Sequence, residues 1–133
     1  VWTDQNGREL VASSRSDGMG VALLRKAGID ALVISTETNP VVTARCEKLK
    51  LPVLQSVLDK GQALSTYLEQ HQIEQEHVIY LGNDINDLPC FPLVGFAAVV
   101  ADAHPTVKAA ADLVLEHTGG HGAVRELIDL ILA

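Results

Sequence analysis

The chain has 133 residues, with 10 Lys+Arg against 17 Asp+Glu, a formal net charge of −7. Apolar residues make up 47% and charged residues 20%, the balance of one ordinary globular domain and too apolar for a disordered chain. No apolar run is long enough to span a bilayer and no signal-peptide pattern opens the chain. The acidic balance excludes the basic surface that nucleic acid or an anionic membrane needs. Two cysteines, Cys46 and Cys90, form neither a disulfide framework nor a zinc set, which suits a reducing cytoplasm.

In chain order, Val1-Trp2-Thr3 and the stretch from Arg8 to Ser14 flank Asp4-Gln5-Asn6-Gly7. Asn-Gly between strand-like runs predicts a hairpin with a type I′ turn, φ > 0 at both central positions. A helix is expected from about Gly18 to Ala27, with Asp17 as N-cap and Gly28 as its stop. Ala31 to Ile34 has no polar alternation and predicts a strand buried on both faces. Asn39-Pro40 opens a helix to about Leu49, and Pro52 to Gln55 is a short strand. Asp59 caps a helix from about Lys60 to Gln70, and His77 to Leu81 is a strand. An acidic turn, Gly82 to Asp87, and a short helix near Leu88 to Leu93 follow. Ala97 to Ala101, a helix opened by His104-Pro105, Leu113 to Leu115 and a helix from Gly122 to Leu132 complete the chain. Strands alternating with helices predict one α/β domain over residues 1–133, a Rossmann-like parallel sheet with helices on both faces, preceded by a β-hairpin flap.

Ligands of open parallel sheets bind beyond the carboxyl ends of the strands, so polar residues just after each apolar run are the candidates. Gly82-Asn83-Asp84-Ile85-Asn86-Asp87 places two carboxylates and two amides in an oxygen-rich turn suited to Mg²⁺, which takes one or two carboxylates and fills its shell with water and phosphate. Asn83, Asp84 and Asp87 are the candidate ligands; the plain alternative is a turn whose side chains only cap the next helix. Lys60 lies in the first turn of its helix, where the dipole disfavours a cation unless an anion is bound beside it. Without that anion it is a solvated lysine. Ser35 and Thr36 end a strand and can donate to a phosphate oxygen, although hydroxyls are common in loops. The five histidines lack metal-ligand spacing on any shared helix face, Cys46 falls among apolar helix positions, and Arg125 reads as surface, pairing with Glu126 or a neighbouring subunit.

Taken together, these positions resemble the haloacid dehalogenase superfamily. The branch they resemble is the capless one of 3-deoxy-D-manno-octulosonate 8-phosphate phosphatase and the phosphatase-like C-terminal domain of acylneuraminate cytidylyltransferases. The likeness runs through Asp4 to Gly7, Ser16 to Gly20, Ile34 to Pro40, Asp59-Lys60, Gly82 to Asp87, Ala101 to Pro105 and Gly119 to Glu126. It implies that Ser35 holds the transferring phosphoryl group, with Thr36 beside it, and that Lys60 stabilises phosphate charge and an aspartyl-phosphate. It further implies that the acidic turn helps to bind Mg²⁺, and that the hairpin covers the active site of a neighbouring subunit in a tetramer. Two departures stand out. The Asp-x-Asp strand that supplies nucleophile and acid/base in the family has no counterpart here, and Asn83 stands where many relatives have a metal-facing aspartate. In the family sheet that strand lies between those ending at Ser35 and Leu81, so either residues are omitted, another segment fills the slot, or the sheet has closed. The start at Val1 and the single methionine, Met19, favour omission.

Two functions follow. One is a Mg²⁺-dependent phosphomonoesterase of a phosphorylated sugar acid, such as a 3-deoxy-octulosonate 8-phosphate or a sialic-acid phosphate, inactive without the upstream aspartate. The alternative is a non-catalytic oligomerisation domain of an acylneuraminate cytidylyltransferase. A phospho-receiver domain shares the layout, but the opening hairpin does not fit it.

Overall fold

The structure, a computed structural model, describes residues 2–133. Val1 of the expected hairpin lies outside the described residues. Strands β1 (Trp2–Thr3) and β2 (Glu9–Leu10) pair antiparallel, Trp2 opposite Leu10. The turn differs from type I′: Gly7 has φ +76° while Asn6 does not enter the positive region. Gly7 N donates to Asp4 O and Asp4 N to Arg8 O, both at 3.0 Å, so the connection is a three-residue loop closed by a left-handed glycine. The Asp4 carboxylate explains the preference, because it accepts Asn6 N at 2.8 Å, Arg8 N at 3.0 Å and Arg8 Nε at 2.7 Å.

Helix α1 (Arg15–Lys26) begins earlier than the sequence suggests, with Ser14 rather than Asp17 as N-cap. Asp17 is buried and caps a different helix: its carboxylate accepts Gly122 N at 3.3 Å and Arg125 N at 2.9 Å. Gly28 ends α1 with φ +78°, as the sequence indicates. Helices α2 (Pro40–Leu49) and α3 (Lys60–Gln70) have the expected caps, Asn39 accepting Val41 N at 2.9 Å and Asp59 accepting Gln62 N at 3.0 Å. After the acidic turn a 3₁₀ helix spans Ile85–Leu93, longer than expected and started by Asp84. Pro89 and Pro92 lie inside it, and a missing N–H harms a short 3₁₀ segment less than a long α-helix. Helices α4 (Pro105–Ala110) and α5 (Ala123–Leu132) close the chain.

The remaining strands are all parallel. β3 (Val33–Ile34) pairs with β4 (Val53–Leu54), and β5 (Ile79–Gly82) pairs with β6 (Phe96–Val99), which pairs with β7 (Leu113–Val114). Among the described residues no hydrogen bond joins β3 to β5, so the sheet is in two parts. Both parts share the same helical layers. Leu64 and Leu68 of α3, with Cys90, pack on Ile34 of one part and on Val78 and Tyr80 at the other. On the opposite face Val21 and Leu24 of α1, with Ile128 of α5, meet Ala31, while Leu127 and Ile131 of α5 meet Leu81. No described segment enters the gap, and the two parts have not closed on each other. A cavity of about 320 Å³ lies at the amino-terminal ends of β3 and β4, lined by Ala31 and Pro52 ahead of those strands, by Leu24 and Arg25 of α1 and by Tyr67 of α3. The architecture is the expected open parallel sheet covered on both faces, and among the described residues no cap domain is inserted.

Candidate functional site

Each strand's carboxyl end delivers one part of the site: Ser35 and Thr36 follow β3, Lys60 starts the helix after β4, and Asn83 to Asp87 follow β5. Asp87 joins the last two. Lys60 Nζ lies 2.8 Å from Asp87 Oδ1, and their side chains are 11% and 2% exposed. Lys60 is therefore no solvated surface lysine. The same Oδ1 accepts the Tyr80 hydroxyl at 2.5 Å, and Oδ2 accepts Asn83 N at 2.8 Å and Asp84 N at 3.0 Å.

Burial pushes the Asp87 carboxyl upward, but Lys60, Tyr80 and the two turn amides outweigh it and hold the group below the usual carboxylate range. Burial first, and then the Asp87 carboxylate, push the Tyr80 phenol far up, so that it keeps its proton and donates. Gly82 is required by the same contact, since a Cβ there would lie 2.9 Å from Asp87 Cβ and Cγ.

A carboxylate offers about four acceptor positions, and Asp87 has all four occupied. Within the chain Asp87, one of the three candidate metal ligands, fixes Lys60 and the turn. Asn83 and Asp84 remain exposed beside it. Asp84 caps the 3₁₀ helix through Ile85 N at 2.7 Å, within a capping box shared with Asp87. The capping alternative and the acidic site are thus one arrangement.

Ser35 and Thr36 sit on a braced loop. Ser35 Oγ accepts Glu37 N at 3.1 Å, and Glu37 Oε1 accepts Thr38 N and Asn39 N at 3.0 and 2.9 Å. Gln55, at the end of β4, donates to Asn39 O at 2.6 Å and accepts the Thr43 hydroxyl. Val57 N donates to Ser35 O and Ser56 N to Glu37 O, at 3.0 and 3.1 Å, with Ser56 left-handed at φ +58°. The phosphate-loop candidates are thus tied to the segment three residues before Lys60, rather than to Lys60 itself.

Sequence reasoning passed over Tyr80 and Gln55. A phenol on an otherwise apolar strand was the available signal for Tyr80, because a buried hydroxyl needs a partner. Nothing local marks Gln55. Cys46 is buried in the core as expected. Arg125 pairs with Asp129 at 2.9 Å, not with Glu126, whose carboxylate instead accepts the backbone N–H groups of Glu116 and His117.

A family model described as haloacid dehalogenase-like hydrolase matches residues 34–127. The 3-deoxy-D-manno-octulosonate 8-phosphate phosphatase of Escherichia coli K12 is 38% identical over 133 residues, 99% of this chain and 71% of that protein. Among solved structures, a protein of Streptomyces avermitilis assigned to the HAD family of hydrolases superposes with a TM-score of 0.96 at 50% identity, covering 98% of this chain and 75% of that one. The 3-deoxy-D-manno-octulosonate 8-phosphate phosphatase of Moraxella catarrhalis, solved with magnesium, phosphate and KDO, gives a TM-score of 0.93 at 32% identity over 98% of this chain and 76% of that one.

Proposed function

Because the chain belongs to the haloacid dehalogenase-like hydrolases, in the branch of the 3-deoxy-D-manno-octulosonate 8-phosphate phosphatases, we propose that it serves a Mg²⁺-dependent phosphomonoesterase acting on a phosphorylated sugar acid. The observation that carries this reading is the buried Lys60–Asp87 contact, which ties an ammonium to the turn that exposes Asn83 and Asp84. Lys60, Ser35 and Thr36 hold the phosphoryl oxygens. One amide and one carboxylate at Asn83 and Asp84 fit a hard cation that takes few protein ligands. Asn83 and Asp84 would hold a magnesium ion, which would supply neutralisation of phosphate charge.

The nucleophile of the proposed aspartyl-phosphate route is not in this chain. In this reading it arrives on an Asp-x-Asp strand lying between β3 and β5, and the chain alone does not turn over. Exposure of Trp2 and Leu10 on the hairpin, 65% and 68%, supports its packing on a neighbouring subunit. The non-catalytic alternative draws support from Asn83 and from the missing Asp-x-Asp, whereas the relatives named above are phosphatases and hydrolases.

The deciding assay is phosphate release from 3-deoxy-octulosonate 8-phosphate and sialic-acid phosphates with Mg²⁺. It uses this chain joined behind an Asp-x-Asp-bearing strand. Turnover is expected to disappear in Lys60→Ala and on chelation. Equal rates with and without Lys60 across the panel would overturn the proposal.

A further inference from the structure

Tyr80, on β5, is a polar side chain beside the acidic turn that neither the phosphate nor the metal reading employs. Its ring stacks edge-on with Phe91 at 6.0 Å and packs on Leu64 and Leu68, so packing alone would be served by phenylalanine. Its hydroxyl reaches 2.5 Å from Asp87 Oδ1, the oxygen that also holds Lys60 Nζ at 2.8 Å. With Oδ2 taken by Asn83 N and Asp84 N, that hydroxyl decides how much of Asp87 is left for Lys60.

We propose that Tyr80 is a positioning residue for Lys60: its hydroxyl fills the second acceptor position of Asp87 Oδ1, so the ammonium engages the carboxylate by one N–H and keeps the others for a phosphate oxygen. The donated bond also draws charge from Oδ1 and weakens its hold on the ammonium. Without the hydroxyl, Lys60 settles further onto Asp87, and the less-neutralised carboxylate repels an incoming anion. Both effects act in the same direction. This inference rests on the reading of Lys60 as a phosphate-holding group.

The test is titration of the chain with inorganic phosphate, followed by calorimetry, for wild type, Tyr80→Phe, Lys60→Met and Phe91→Leu, with melting temperatures alongside. Tyr80→Phe is expected to weaken phosphate binding about 3- to 10-fold, the share of one hydrogen bond. Phe91→Leu lowers the melting temperature and leaves affinity unchanged. Should Tyr80→Phe fail to fold, 3-fluorotyrosine at position 80 in a Tyr67→Phe background replaces it. As a stronger donor it should tighten binding. Unchanged affinity in the Tyr80 variants, or equal weakening by Phe91→Leu, overturns the inference while leaving Lys60 in place. Absence of Lys60-dependent phosphate binding in the wild type overturns the site reading and this inference with it.

Discussion

Asp87 concentrates in one carboxylate what the site needs from its surroundings. Removing it strips Lys60 of its counter-charge and leaves the hydroxyl of Tyr80 and two turn amides without an acceptor. Asp87→Ala should therefore cost about 3–5 kcal/mol, the range for breaking one side of a buried ion pair. Urea unfolding that gives less than about 1 kcal/mol would show the turn holding itself. The pH dependence has a definite sign. The folded carboxyl titrates below its unfolded value, so the unfolded state binds more protons in between, and stability falls on acidification. The contribution is complete at neutral pH and is lost as pH drops below about 4 through the folded value. Asp87→Asn should flatten that acid limb; an unchanged slope would assign it to other carboxylates. Lys60 and Asp84 were readable in the sequence because strand ends are where α/β sheets place their chemistry. Which of the oxygens in the turn is buried was not readable, since that depends on α3 and Tyr80 arriving from elsewhere.

Helices α2 and α3 were legible to the residue, because Asn39-Pro40 and Asp59 act through bonds within three residues of themselves. Helix α1 was not, because Ser14 and Asp17 are both competent caps and only tertiary structure assigns Asp17 to α5, 105 residues away. Asp17→Ala should accordingly destabilise by about 0.5–2 kcal/mol, as loss of a cap does, through α5 rather than α1. Amide exchange is the discriminating measurement: faster exchange at Ala123 to Arg125 is expected, whereas faster exchange confined to α1 would contradict the assignment. Element packing sets a stricter limit at Gly61, where α3 crosses the 3₁₀ helix. A Cβ there would stand 2.8 Å from Pro89 Cβ and 3.3 Å from Pro89 O. Alanine normally gains about 1 kcal/mol over glycine inside a helix, but overpacking costs about 1–3 kcal/mol. Gly61→Ala should lower the melting temperature and, by tilting the first turn of α3, also loosen the Lys60–Asp87 pair. A raised melting temperature would mean that the contact gives way easily.

At the scale of the whole molecule, the local alternation of strand and helix indicated the layers correctly, while the break between β3 and β5 could not follow from it. Parallel strands pair through partners distant in sequence, and a sheet missing one member keeps the helices that covered it. In a strand, each residue directs its N–H and C=O to one side and its neighbours direct theirs to the other. Val33 N and Ser35 N are bound to β4, at 3.0 and 2.9 Å from Pro52 O and Leu54 O, so Ile34 presents its groups to the open edge. Val78 O and Gly82 O are bound toward β6, which leaves Ile79 and Leu81 presenting their groups to the open edge of β5. Buried backbone groups require partners, so these three residues are where an added parallel strand would bond. In hydrogen exchange their amides should be lost as quickly as loop amides in this chain, despite lying in strands. Joining an Asp-x-Asp-bearing strand should slow them together while leaving Leu54 and Ala98 nearly unaffected, because those strands already have their partners. Protection of Ile34, Ile79 and Leu81 before any strand is supplied would mean that the two half-sheets meet in solution, and the proposed place for the nucleophile would be gone.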